Sequence, residues 1–309
     1  MTSTEAEELQ QLIAGLMNPS AFVSPKYFYD ALGSKLFAAI CEVQEYYPTR
    51  TEAAIFEQYL NEIADSIGVG ATFVDLGAGN CEKAASLFSV LQPSQYVAID
   101  ISTEFLCDSV KQIQQKFPSI PMLSLGMDFS STLQLPAEVQ RSKRLFFYPG
   151  SSIGNFTPEE ALAFFKRIRL AADKEGNLLI GVDLVKEIGI LNAAYNDALG
   201  VTALFNLNLL LHLNKLLGAN FDITSWRHQS FFNADASRIE MYLESKHTQM
   251  VKWRNGERLF VEGERIHTEN SYKYTVEGFV DLLQRAGMKV NRTWSDENNW
   301  FLVCHARMT

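Results

Sequence analysis

Residues 74–80 read VDLGAGN, an apolar approach that ends in an aspartate and two glycines one residue apart. The run ATFVDLG reads as a short buried strand and CEKAASLFSVL as a helix, so the glycines sit at a strand-to-helix turn. Glycine at such a turn permits tight backbone geometry and close approach of a ligand. An ordinary βα turn carries the same signature, so the neighbouring strand ends have to decide. A second apolar run ends VAID, which puts the Asp100 carboxylate where it can accept both hydrogen bonds of a ribose diol. A third ends GMDF, where Asp128 and Phe129 can meet an adenine amino group and its ring face. Three such ends in register favour a nucleotide-like cofactor over three unrelated solvated turns. The turn itself, GAGNCE, lacks the third glycine that lets a dinucleotide fingerprint pack around a pyrophosphate. A cofactor without pyrophosphate is therefore expected, and S-adenosylmethionine is the obvious one.

These residues need a sheet to carry them. The apolar runs TFVDL, YVAID, PMLSLGMD, RLFFYPG and NLLIGVDL are separated by helical segments, a pattern that predicts a parallel sheet with helices on both faces. Near the end, KVNRTWSD and WFLVCHARM flank ENN and predict a hairpin. The fold class is thus α/β, with the layout of the Rossmann-like class I methyltransferase fold. Between about residues 187 and 273 the alternation stops. Helices come first, then SRIEMYLESK, TQMVKW and ERLFVEGERI alternate like antiparallel strands. This predicts an inserted α+β substrate-binding domain, residues 1–48 plus 187–273. The methyltransferase domain is then 49–186 plus 274–309. Two capping boxes mark helix starts, TRTE at Thr49–Glu52 and TPEE at Thr157–Glu160. After the first, Ile55, Tyr59, Ile63 and Ile67 form an apolar stripe that Gly68 ends.

Bulk properties narrow the partner. Of 309 residues, 47% are hydrophobic and 20% charged, as in a soluble globular protein. A net charge of −9 without any Lys/Arg run argues against a nucleic-acid backbone as partner. The fourth strand ends YPGSSIGN and lacks the Asn/Asp-Pro-Pro-aromatic motif of enzymes that methylate base amines. Four cysteines and five histidines are scattered with no metal-ligand spacing, which points to reduced thiols, a cytoplasmic location and no metal. The start, MTSTEAEELQQLIAGL, has no basic region before its apolar residues and does not read as a signal peptide. The most apolar tract, 201–218, is interrupted by Asn206, Asn208, His212, Asn214 and Lys215, and reads as a buried helix rather than a membrane span. A monomer acting on a small molecule is expected.

The segments SPKYFYDALGSKLF, EYYPTRTEAAIF, VDLGAGNCEK, GSSIGNFTPEEA, GVDLVKE, AYNDALGVTALFN, RIEMYLES and TENSYKY follow one another in that order. Over nearly its whole length the chain resembles the histidine-specific Nα-methyltransferases of ergothioneine biosynthesis, and EYYPTRTEA and GSSIGN are the most specific of the matches. The resemblance implies S-adenosylmethionine-dependent trimethylation of the α-amine of L-histidine to the betaine hercynine. It implies that Gly77 and Lys83, with Asp100, Asp128 and Phe129, hold the cofactor. Tyr46, Asn155 and Tyr195 match amino-acid-binding positions, Glu269 and Ser271 the pair that reads the imidazole, and Met241 a position lining the ring. Tyr29 matches a residue near the amine. Tyr29 and Asn155 are accordingly the residues expected to orient the amine, with water taking its proton, since no dedicated base is visible.

Two other readings stay open on the sequence. One is a methyltransferase of the same fold acting on another amino acid, such as tryptophan or tyrosine, which offers no second ring nitrogen to Glu269 and Ser271. The other is a cofactor-binding regulatory protein without catalysis. A site between the two domains, at the carboxyl edge of the sheet, is expected for either enzyme.

Overall fold

The computed structural model describes residues 3–309; the first two residues of the acidic N-terminal stretch lie outside the described residues. Helices α1 (Ser3–Met17), α2 (Ala31–Glu42) and α3 (Tyr47–Ile67) come first. An alternating stretch follows: β1 (Thr72–Leu76), α4 (Glu82–Ala85), α5 (Phe88–Leu91), β2 (Gln95–Asp100), α6 (Thr103–Lys116) and β3 (Met122–Gly126). It continues through β4 (Arg144–Tyr148), α7 (Pro158–Ala171) and β5 (Asn177–Asp183). Next are α8 (Ile188–Tyr195) and α9 (Val201–Leu217), then β6 (Trp226–Asn233), β7 (Arg238–Ser245), β8 (Gln249–Trp253), β9 (Gly256–Phe260) and β10 (Arg265–Tyr272). Helix α10 (Val276–Arg285) and strands β11 (Met288–Ser295) and β12 (Phe301–Met308) close the chain. The chain divides into two compact units, Met1–Tyr47 with Lys186–Tyr272 and Pro48–Val185 with Lys273–Thr309.

The second of these units holds a seven-stranded sheet in the order β11-β12-β5-β4-β1-β2-β3. Strands β1 to β5 pair in parallel, and β12 runs antiparallel to both β5 and β11. This is the Rossmann-like class I arrangement. Strands β1, β4 and β5 are buried at every residue, as a sheet covered on both faces requires. One face packs Val74, Phe146 and Ile180 against Phe164 and Phe165 of α7 and Phe279 of α10. The other packs Phe73, Tyr96 and Phe147 against Ile55, Phe88 and Leu106. The strand order reverses between β1 and β4, and crevices at such reversals hold the ligands of α/β sheets.

Local sequence explains most boundaries and misleads at a few. Thr157 caps α7 through the Glu160 amide, and the Glu160 side chain returns the bond, with Pro158 in the first turn. The TRTE box is not a cap. Helix α3 already begins at Tyr47, so Thr49 is inside the first turn and Glu52 is fully buried. The helix expected from Cys81 is two short pieces, α4 and α5, because the Ser86 hydroxyl bonds back to the Lys83 carbonyl where the first piece ends. The run ERLFVEGERI is also two elements, with Gly263 at φ 80° in the turn between β9 and β10.

The first unit carries a three-stranded antiparallel sheet, β10-β7-β6, and a separate hairpin, β8-β9. Strand β6 lies in a stretch that reads as helical from sequence. Helix α2 packs on α9, and the polar residues that interrupt α9 are bonded rather than exposed to an apolar phase. Asn208 donates to Asp30 Oδ1 (2.8 Å), Asn206 to the Tyr242 carbonyl (3.0 Å), and His212 Nδ1 meets the Tyr27 carbonyl at 2.7 Å. Among the described residues no helix is long and apolar enough to cross a membrane.

Candidate functional site

At the carboxyl edge of the large sheet, Gly77 and Gly79 both hold positive φ, 71° and 52°. The Gly77 and Ala78 amides bond the Ile99 carbonyl, fastening the turn to β2. An added Cβ at Gly79 would meet nothing within 4 Å, and one at Gly77 would approach only the Phe129 ring, at 3.8 Å. The turn therefore presents bare backbone beside an aromatic ring, a cradle suited to a flat, nucleoside-like group. Asp100 reaches back to it: Oδ2 accepts the Gly79 amide (3.1 Å) and Oδ1 the Ser102 amide (2.9 Å). Each oxygen keeps a second lone pair, enough for the two hydroxyls of a ribose. Asp128 Oδ1 accepts the amide of Ser130 at 3.0 Å and also its hydroxyl, which fixes the carboxylate after β3. Phe129 stands edge-on to Tyr148 (5.7 Å between centroids), so its ring position is set by packing. The Lys83 ammonium sits 2.6 Å from Glu52 Oε2 and its side chain is 39% exposed, leaving one side toward solvent. The donor set matches the parts of S-adenosylmethionine: a diol, an adenine and an amino-acid end.

Beneath this turn lies Asp75, an acid inside the fully buried strand β1. Burial pushes its carboxyl up to about 7, against the Tyr96 hydroxyl, which donates to Oδ2 at 2.8 Å, and against the Lys83 charge; Asp100 raises it further. The same burial pushes the neighbouring Cys81 thiol up to about 12, so it does not ionise near neutrality. Because the folded Asp75 holds a proton that the unfolded chain releases near the ordinary carboxylate value, its contribution to stability is full below pH 4 and is lost as pH rises through 7. Asp75→Asn keeps an acceptor for Tyr96 without that loss. Thermal unfolding at pH 5 and pH 8 should show a larger gain for the variant at pH 8, and equal gains would remove the buried titration.

In the other unit, the aromatic side chains form a connected group. Tyr29 is edge-on to Phe37 (5.7 Å) and to Phe205 (5.9 Å), Phe37 to Tyr46 (6.3 Å), and Tyr46 to Tyr195 (6.2 Å). Desolvation raises the Tyr46 phenol well above its ordinary value, and Tyr195, Cys41, Tyr29 and Glu269 add to the rise. Tyr46 therefore remains a protonated donor across the physiological range. The Tyr195 hydroxyl donates to Ser271 Oγ at 2.8 Å. Ser271 and Glu269 are two apart on β10, hence on one face, and Glu269 pairs in register with Met241 of β7. A bulge at Thr268 shifts the register just before Glu269. Asn270, between the two, turns to the opposite face and meets His267 Nε2 at 3.0 Å. Tyr29, Tyr46, Tyr195, Met241, Glu269 and Ser271 thus belong to one unit, and Asn155, at the end of a short 3-10 turn (Ser152–Asn155), belongs to the other with Gly77, Lys83, Asp100, Asp128 and Phe129.

Three supporting groups escape a reading of sequence alone. His228 holds Tyr195 from behind: Asn206 donates to its Nδ1 (2.8 Å), so Nε2 carries the hydrogen to the Tyr195 carbonyl (2.9 Å). Burial lowers the pKa of this imidazole, which favours that neutral form. Glu52 and the Asp75–Tyr96 pair are the others. Glu52 had a signal, since it falls three residues before Ile55 on the apolar stripe of α3, where a solvated carboxylate has no place.

Fold and turn together define a class I methyltransferase that uses S-adenosylmethionine. The sequence profile described as "Histidine-specific methyltransferase, SAM-dependent" matches residues 8–308, and the chain belongs to that family. It is 37% identical over 298 residues to the histidine N-alpha-methyltransferase of Mycolicibacterium smegmatis, covering 94% of this chain and 92% of that one. Ergothioneine biosynthesis protein 1 of Neurospora crassa is 30% identical over 292 residues, 91% of this chain and 33% of that protein. The crystal structure of the PH0226 protein of Pyrococcus horikoshii OT3 shares the fold, with a TM-score of 0.51 at 14% identity over 91% of this chain and all of that one.

Proposed function

We propose that this enzyme trimethylates the α-amine of L-histidine to hercynine as the first step of ergothioneine biosynthesis, acting as a cytoplasmic monomer. The observation that carries the reading is the Tyr195–Ser271 hydrogen bond beside Glu269. With the phenol as donor, the serine hydrogen is directed away from Tyr195 and can serve one imidazole nitrogen, while Glu269 accepts from the other. Met241, buried on the same face, gives the ring an adaptable apolar wall.

The bound cofactor supplies an electrophilic methyl group on a sulfonium. For transfer, the amine must present its neutral lone pair in line with the departing sulfur. Tyr29 and Asn155 orient the amine, water takes its proton, and the neighbouring tyrosine rings favour the cationic nitrogen that grows with each transfer. Mass spectrometry after incubation with the cofactor and all twenty amino acids tests the reading. Histidine should gain three methyl groups, whereas methylation of tryptophan or tyrosine instead would overturn it. The cofactor half has its own test. Asp100→Ala should weaken S-adenosylmethionine binding by about 1.5–3 kcal/mol, the worth of charge-assisted hydrogen bonds. Unchanged affinity by calorimetry in a folded variant would remove Asp100 from the site.

A further inference from the structure

Glu52 is a carboxylate near the cofactor turn with no exposed surface. Its Oε2 holds the Lys83 ammonium at 2.6 Å, and its Oε1 accepts the Gly150 amide at 2.7 Å. Room for it is made in the sheet. A Cβ on Gly181 of β5 would lie 1.9 Å from Oε1 and 2.9 Å from the Phe301 ring, so only glycine leaves space for this carboxylate. Gly150, at φ 77°, opens the GSSIGN segment that ends in Asn155. One buried acid therefore joins α3, the helix that follows the glycine turn, and the segment bearing Asn155.

Burying a carboxylate is costly, and a pair of this kind adds little net stability compared with apolar packing. Its effect lies in geometry. A lysine side chain is long and flexible, and a fixed counter-charge on one side confines where its ammonium can sit. We propose that Glu52 is a positioning residue for the cofactor: it holds Lys83 at the glycine turn to receive the cofactor's amino-acid carboxylate and ties that cation to the Gly150 amide. This rests on reading Lys83 as a cofactor residue.

Calorimetry with two probes on Glu52→Gln, Lys83→Met and the double variant tests it. S-adenosylhomocysteine carries the carboxylate, and 5′-methylthioadenosine lacks the amino-acid end. Glu52→Gln keeps an acceptor for Gly150 but loses the charge facing Lys83. It should weaken S-adenosylhomocysteine about tenfold, leave methylthioadenosine unchanged, and add nothing in the Lys83→Met background. If Lys83→Met weakens S-adenosylhomocysteine and Glu52→Gln does not, Glu52 does not act through Lys83. If Glu52→Gln weakens both probes equally, its role is structural only. If Lys83→Met itself changes nothing, the reading of Lys83 falls and this one with it. The double variant removes both charges together and gives a folded reference should the single glutamine variant unfold.

Discussion

Glu269→Ala should raise the KM for histidine roughly 10- to 100-fold and leave cofactor affinity unaltered. The size follows from the ~1.5–3 kcal/mol of a hydrogen bond to a charged group. Direction and selectivity follow from position. Glu269 projects from β10 on the face shared with Met241 and Ser271, in the unit that does not contain Gly77, Lys83 or Asp100. A site that pairs both ring nitrogens also discriminates, because an analogue without them leaves buried polar groups unpaired. Tyr195→Phe should raise the same constant by less, since it removes the hydroxyl that orients Ser271 and leaves Glu269 in place. Both constants are measured on purified variants beside the parent enzyme. Normal histidine kinetics in Glu269→Ala would leave the broader amino-acid methyltransferase reading in place.

Lys273→Met should destabilise the large-sheet unit by about 3–5 kcal/mol, the cost of leaving a buried charge without its partner. Lys273 and Asp183 meet at 2.8 Å with side chains only 1% exposed each. Asp183 ends β5, where both its backbone groups are bonded: the amide donates to Ser151 Oγ (2.9 Å), and the carbonyl accepts the Tyr274 amide (3.2 Å). The pair thus pins the last residue of β5 beside the point where the chain returns to this unit. At about 2–4 °C per kcal/mol for a domain of this size, the melting temperature should fall by roughly 6–20 °C. Asp183→Asn combined with Lys273→Met should recover most of the loss. A single variant that melts within a degree or two of the parent would show that the pair does not pin the strand.

What the sequence made legible is what local chemistry dictates. Gly77 and Gly79 are needed for positive φ, the Thr157–Glu160 box for orphan amides, and the apolar runs for a sheet covered on both faces. The resemblance proposes site positions that no spacing rule contains, such as Tyr46 and Ser271, and these remain proposals. What stayed hidden depends on partners distant in sequence. WRHQSFFN carries too many polar residues to announce a strand, and becomes β6 only by pairing with β7. The bulge at Thr268 exists because two strands meet there, and it sets which of His267 and Glu269 faces Met241. Glu52 looked like a helix cap because TRTE satisfies the local rule, while its real partners, Lys83 and Gly150, lie far along the chain.

That dependence on distant partners has a consequence for synthesis. Val23 bonds the His267 carbonyl and His267 the Ala21 carbonyl, while Asp30 waits for Asn208 and the Tyr27 carbonyl for His212. At ribosomal rates of about 5–20 residues per second, a partner some 240 residues downstream arrives roughly 12–50 s later. Phe28 likewise has no ring to stack on until Phe205 is made, and α2 waits for α9. The other unit finishes no earlier, because β12 lies inside its sheet between β11 and β5 and follows every other strand of that sheet along the chain. Each unit closes only when its final strand, β10 in one and β12 in the other, leaves the ribosome, and a truncation that reaches β12 removes an interior strand rather than a frayed end.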